Sequence, residues 1–385
     1  MEIRRLNASD YDALLYVLNT SFAAVRSRPV DFLRGHPKMW GRDDAHMGRH
    51  LGAFEDGQLV AAVGIYPLEL HVGEAVLRFA TTGNVATLPS YAGRGYFSRL
   101  FSLAMEEAER VGYDALRLGG QKQRYGRFGF EDCGTVYSAE LTEKNRAAVP
   151  EVAYAPIAFE PLCEESVLAL RYIRTLTEKA TCYVKRFESE GERDTLAVLR
   201  SKYGEAYLVK RDGTPIGYLC AADGGQTVTE LRAEAAEDFL FIACAWQKSV
   251  RSAITLQIAP WMHTELRALS RVCERLITGT PSKFRFLKLA RVVDAFLKLK
   301  HKSTPLPEGS FSLFVEGCGL LRMTVDATGA YCTRAEEGEA DLTLDRAEAA
   351  KLLFGPLPTD AFSGLPAVAR AWLPLPLAWC FLDVV

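Results

Sequence analysis

Two short stretches combine residue types and spacing that suit chemistry. In the first, Pro89-Ser90-Tyr91-Ala92-Gly93-Arg94-Gly95-Tyr96-Phe97, two glycines flank an arginine at the seam between an apolar run and a charged amphipathic one. A strand that passes through a glycine turn into a helix points unpaired backbone N–H groups outward, along with the positive end of the helix dipole. Such a place binds anions, most often phosphate. Glycine at 93 and 95 lets a ligand approach the backbone, and Arg94 offers a charge. Two phosphate patterns are excluded by spacing: there is no G-x-x-x-x-G-K-[ST] run, and Ser98 stands where a G-x-G-x-x-G fingerprint has its third glycine. The same residues equally suit an ordinary strand-to-helix turn. In the second stretch, Tyr125-Gly126-Arg127-Phe128-Gly129-Phe130, the aromatics around the glycines suit a packed core turn.

The elements that position these stretches follow from periodicity. Before the first lies a run of alternating strands, with turns at Glu55-Asp56-Gly57 and Val72-Gly73-Glu74. After it, Phe97, Leu100, Phe101, Ala104, Met105 and Ala108 recur at helical spacing, and Gly112 is placed to end the helix. A similar rhythm returns between about 145 and 283: a helix, a hairpin around Asp212-Gly213, a strand, a helix and a strand. In this second copy Ala233-Glu234-Ala235-Ala236 stands where glycines would be, so it cannot bind an anion in the same way. A third block from about 284 has strands with turns at Glu316-Gly317 and Thr328-Gly329, then a helix near Asp345. The expected domains are 1–144, 145–283 and 284–385, and the fold class is α/β with mixed sheets.

Composition removes several function classes. The 385 residues exceed one ordinary core. With 46 basic and 48 acidic side chains the formal charge is -2, which supplies no global field for nucleic acid or anionic membrane. No signal segment opens the sequence and no long uninterrupted apolar run occurs, so a cytoplasmic protein without a membrane span is expected. Nine scattered cysteines without a C-x-x-C pair read as reduced thiols. His46 and His50 share helical spacing but lack further ligands nearby, so no metal is expected.

Taken together, the ordered run of strand, P-x-Y-x-G-R-G, amphipathic helix, short strand and Y-G-R-F-G-F resembles the acyl-CoA-binding core of the GNAT N-acetyltransferase superfamily. Its pattern [QR]-x-x-G-x-[GA] falls on Ala92 to Phe97, altered at both ends. The bulky sixth residue, and the three-block layout, resemble the enhanced intracellular survival (Eis) family. That resemblance implies an active GNAT domain, a second GNAT domain without the loop and a C-terminal domain with a sterol-carrier-protein-like fold. It implies acetyl-CoA as cosubstrate, a small-molecule amine such as a polyamine or aminoglycoside as acceptor, and self-association as a homo-hexamer. Lysine side chains are a further acceptor class.

The resemblance also assigns roles. Val85, Ala86, Thr87 and Leu88 would hold the thioester carbonyl and pantetheine arm through backbone N–H groups, and Tyr91, Ala92, Gly93, Arg94, Gly95 and Tyr96 the pyrophosphate. Tyr125, a phenol protonated at neutral pH, suits a general acid to the leaving thiolate. The terminal carboxylate on Val385 would face the amine, with Asp383 assisting. The alternative is a non-catalytic protein that binds CoA or a hydrophobic ligand through its third block.

Overall fold

In a computed structural model, the structure describes residues 2–27, 29–186 and 192–383. Among the described residues the strands form three sheets. The first is ordered Glu2–Arg5, His50–Glu55, Gln58–Val72, Ala75–Thr87, Ala115–Leu118, Ser282–Phe286 and Glu131–Cys133, with Cys182–Val184 pairing to Gln58–Val72. The second is ordered Arg275–Gly279, Val136–Leu141, Ile254–Ile258, Thr227–Ala233, Thr214–Ala222, Glu205–Arg211 and Ile157–Pro161. The third holds Gly329–Ala335, Gly319–Asp326, Gly309–Val315 and Leu342–Leu344. The mixed α/β class expected from the sequence is the one observed.

Where the chain changes sheet does not coincide with residues 144 and 283. Val136–Leu141 already belongs to the second sheet, and Ser282–Phe286 returns to the first, where it pairs antiparallel with Ala115–Leu118 and with Glu131–Cys133. The returning strand supplies partners for backbone groups that both neighbours would otherwise leave unpaired. Phe79, Phe284 and Trp379 join one apolar core with Phe296, Phe311 and Trp372 of the third block, so that block is packed continuously against the first sheet.

The helix after the glycine turn spans Tyr96–Val111. Its 3.6-residue period buries Leu100, Phe101, Ala104, Met105 and Ala108 on the sheet, and Gly112 ends it at φ +76°, a left-handed value that glycine adopts without strain. Near its end the chain forms the helix Ala367–Trp372, after which Leu375, Leu377 and Trp379 are buried. No helix among the described residues is long and apolar enough to cross a membrane.

Candidate functional site

The site begins as a fork in the first sheet. Ala75–Thr87 and Ala115–Leu118 pair in parallel at Phe79↔Ala115, Ala80↔Leu116 and Thr81↔Arg117. Beyond that point the longer strand runs on to Thr87 without this neighbour, which opens one edge of its backbone. The Leu88 N–H donates to Val60 O across the other edge at 2.9 Å. By the alternation of an antiparallel ladder, Thr87 and Val85 then present their N–H groups to the open edge. The Thr87 carbonyl does face away from Gln58–Val72, accepting from Ser21 Oγ at 2.9 Å. Leu88 itself is therefore not available as a donor to a ligand, a correction to the expected set.

The glycine turn stands at the mouth of this fork. Gly93 has φ +77° and Gly95 φ +82°, and a Cβ built on either would meet no atom within 4 Å. The left-handed backbone is thus demanded by the turn, while the space above it is open for a ligand. Gly95 is the N-cap of Tyr96–Val111, whose first turn carries no acidic residue. The helix dipole there is left free to attract an anion.

A cleft of about 900 Å³ joins the fork to the turn, lined by Val85, Ala86, Thr87, Tyr91, Ala92, Gly93, Gly95, Tyr96 and Tyr125 among others. Arg94 does not line it. Its guanidinium lies 3.4 Å from Glu55 Oε1 and stacks 4.9 Å from the Tyr91 ring centroid, so its charge is turned to the rim. Arg124, which sequence reasoning passed over, does line the cleft and sits 5.4 Å from the Phe97 ring. The bulky Phe97 thereby supports a cation on the wall of the cleft.

Tyr125 is 7% exposed at the wall of the cleft. Phe97 meets its ring edge-on at 5.9 Å, and Phe101 lies tilted against it at 5.3 Å. Burial raises its hydroxyl above the ordinary phenol range, opposed by the nearby Arg124 charge. The hydroxyl therefore stays protonated at neutral pH, the state a proton donor needs.

Behind the fork is a buried network that the sequence did not announce. Asn84, at φ +52°, occupies a bulge opposite Val63 and donates from Nδ2 to Tyr66 Oη at 2.5 Å. Tyr66 Oη is also 2.6 Å from His50 Nε2. Burial lowers the His50 imidazole to about 4, so it is neutral at physiological pH. The expected pairing of His46 with His50 on one helix does not occur. His46 belongs to a short helix and contacts Asp43 at 2.8 Å, whereas His50 opens a strand.

Val385 lies outside the described residues. Asp383 is not free to assist at an amine: it is buried, and its carboxylate accepts from Arg186 at 2.7 and 2.9 Å. Arg186 also pairs with Glu230 at 2.6 Å.

In comparison with known proteins, residues 2–133 match the family model described as an acetyltransferase (GNAT) domain. The chain carries a GNAT acetyltransferase domain. No curated protein sequence matches the chain. Among solved structures, a GCN5-related N-acetyltransferase from Kribbella flavida aligns at 17% identity over 100% of both chains with a TM-score of 0.66. Eis1 from Mycobacterium abscessus aligns at 16% identity over 98% of this chain and 99% of its own, again at 0.66. A probable N-acyltransferase from Enterococcus faecalis aligns at 14% identity over 98% and 97%, also at 0.66. At such identities the likeness is one of fold, and it extends over nearly the whole chain. The fork, the glycine turn and the wall carrying Tyr125 all lie inside the GNAT segment.

Proposed function

We propose that the protein is an acetyl-CoA-dependent N-acetyltransferase that acts on a primary amine. The observation that carries this reading is the open fork running into the Gly93–Gly95 turn, with a protonated, buried Tyr125 on its wall. Acetyl-CoA, when bound, supplies the activated acyl group. The turn and the helix start behind it would hold its pyrophosphate, aided by Arg124 in place of the motif's missing residue at Ala92. Val85 and Thr87 would offer backbone donors to the carbonyl, which stabilise negative charge as it develops there. Tyr125 would donate its proton to the departing sulfur. Asn84, held by Tyr66 and His50, keeps the bulge that aims these donors.

The finer expectations belong to the same proposal. We place the chain in the Eis family, with 1–144 as the catalytic unit, 145–283 as the loop-less copy and 284–385 as a sterol-carrier-like unit, assembling as a cytoplasmic hexamer. The overall likeness to Eis1 supports that layout. A carboxylate on Val385 would orient the amine, and comparison of N-tagged with C-tagged protein reads its contribution.

The test is acetyl-CoA-dependent thiol release against a panel of arylalkylamines, amino acids, polyamines, aminoglycosides and lysine peptides. Release with at least one amine is expected. CoA binding without release on any of them would replace this reading with a non-catalytic carrier.

A further inference from the structure

The acceptor side of the cleft is cationic. Arg26 and Lys202 line it, from the end of one helix in the first sheet's layer and from the Ser201–Tyr203 turn of the second unit, together with His36 after Phe32–Gly35, which burial and these cations keep neutral. Among the described residues that line the cleft there is no carboxylate. Lys202 Nζ lies 3.4 Å from His36 Nδ1, and its backbone is held at φ +64°, a left-handed conformation that a lysine adopts only at a cost. Strain of this kind persists where the surroundings fix a side chain in place.

Two further cations stand close behind. Lys38 donates to Leu382 O, and its charge is felt by both Lys202 and His36. Arg117, at the crotch of the fork, is 1% exposed, and its Nη1 has no hydrogen-bond partner although Nε donates to Ser282 Oγ at 2.6 Å. Thr81 and Thr82 beside it also bury unpartnered hydroxyls, and Thr82 lines the cleft. Buried donors left unpaired cost free energy that a ligand acceptor recovers. Burial, with repulsion from Lys38, Arg117 and Arg26, lowers Lys202 to about 7; burial lowers Lys38 to about 8 against the pull of Asp383.

Among the described residues, nearby acidic groups offset this charge only in part, Asp383 being felt at Lys38 and Arg117. Asp383 and Glu230 are matched by Arg186 and Arg232 in one compact network. A carboxylate on Val385 would balance only one of the remaining cations. The apolar side of the same pocket is formed by Phe22, Val25 and Phe32.

Resting on the acetyltransferase reading, we propose that the acceptor is an amine that also carries an anionic group, most simply the carboxylate of an apolar amino acid, recognised by Lys202, Arg26 and the cations behind them. Polycationic acceptors are disfavoured by the same charges. The carboxylate is held while the apolar side chain lies on Phe22, Val25 and Phe32. Transfer moves the acetyl group from sulfur to nitrogen: the carbon–sulfur bond breaks, an amide bond forms, the amine loses a proton to water and the thiolate gains one.

The experiment compares each amino acid with its decarboxylated amine: phenylalanine with 2-phenylethylamine, and leucine with 3-methylbutylamine. We expect kcat/KM to favour the amino acid by about tenfold or more, the scale of one charge-assisted hydrogen bond. Lys202→Met and Arg26→Gln should each pull that ratio toward one. Equal use of both members of a pair, preference for the decarboxylated amine, or a ratio unmoved by both variants overturns the proposal. So does a carboxylate preference that appears only after Val385 is deleted, which would mean that the chain's own end fills the cluster. If no amine releases thiol, the enzyme reading fails separately, and calorimetry with N-acetylphenylalanine then decides: binding lost in Lys202→Met keeps the anion pocket, and no binding to the unaltered protein ends it.

Discussion

Helix Tyr96–Val111 and helix Asp238–Val250 each cross from the end of an antiparallel ladder to a parallel neighbour, and the two crossovers share a fork. In the second, Thr227–Ala233 pairs with Ile254–Ile258 only at Thr227↔Thr255 and Val228↔Leu256 before the strands part. The backbone design is therefore repeated; what fills it is not. Around the second fork lies a cavity of about 80 Å³, lined by Glu230 and Arg232 and closed by Trp379, Cys380 and Asp383, against about 900 Å³ at the first. The second helix begins with Glu237 as N-cap and Asp238 in its first turn, where the first has Gly95 and no acid. Acidic side chains already use the dipole that a phosphate would need. A binding site in this topology thus depends on three things together: an open turn, a dipole left free, and a fork that the rest of the chain does not plug.

The largest expected effect separates the open fork from its plugged counterpart at the chemical step. If Tyr125 gives its proton to the leaving sulfur, Tyr125→Phe lowers kcat by about 100- to 10,000-fold with little change in the dissociation constant of acetyl-CoA. Stopped-flow turnover and calorimetry read the two quantities separately. Unchanged kcat would reduce Tyr125 to a core aromatic like its neighbours Phe101 and Phe128.

Next in size is the turn itself. Gly95→Val places a β-branched side chain at φ +82° and fills space that now holds no atom within 4 Å. CoA affinity should fall by about tenfold or more, with the folded state retained, because the added atoms point away from the core. An unaltered affinity in a calorimetric titration would detach the turn from phosphate binding.

Much of this site was legible in residues 88–130. The glycines and the helical spacing after them predicted the turn, the helix and its end at Gly112, because each depends on local backbone chemistry. The second crossover was legible in part, because the helix, hairpin, strand, helix and strand expected between about 145 and 283 also follow from local pattern. What escaped was set by pairing across long sequence distances. The return of Ser282–Phe286 to the first sheet, the bulge at Asn84 with its His50 and Tyr66 partners, and the approach of Lys202 from the second unit all join residues that lie far apart along the chain. Arg94 shows the converse: its place in the motif suggested a ligand, but Glu55 and Tyr91 draw its side chain to the rim.

A smaller effect contrasts how the two forks are held. The first is backed by neutral His50, lowered to about 4 by burial, and the second by Glu230, lowered to about 2 in the company of Arg186 and Arg232 despite its burial. An unfolded histidine titrates near 6.5 and an unfolded glutamate near 4.3. For His50 the unfolded chain binds the extra proton between about 6.5 and 4, so its contribution is complete above 6.5 and is lost as pH falls toward 4. The loss is on the order of 3 kcal/mol in total. Glu230 gives its contribution up only at still lower pH. Urea midpoints should fall between pH 6.5 and 4.5, and less steeply in His50→Gln. An equal slope in that variant would assign the acid sensitivity elsewhere.

The smallest expected effect is the most direct test of what separates the copies. If glycine alone distinguished them, Ala235→Gly with Ala236→Gly would give the second turn the freedom of the first. We expect no gain of CoA binding when these changes are made in a Gly95→Val background, where the first turn is blocked. Glu237 and Asp238 would still face the incoming phosphates with like charge. The pantetheine arm would still meet Trp379, Cys380 and Asp383 in the fork, and Asp383 is tied to Arg186 by two hydrogen bonds. Displacing that segment breaks a buried ion network, which is far costlier than reshaping a turn. Stability should change by less than about 1 kcal/mol per glycine, since the turn lies outside the helix proper. CoA heat restored in the triple variant would show that the plug yields, and that backbone freedom at the turn outranks charge and occupancy in making the site.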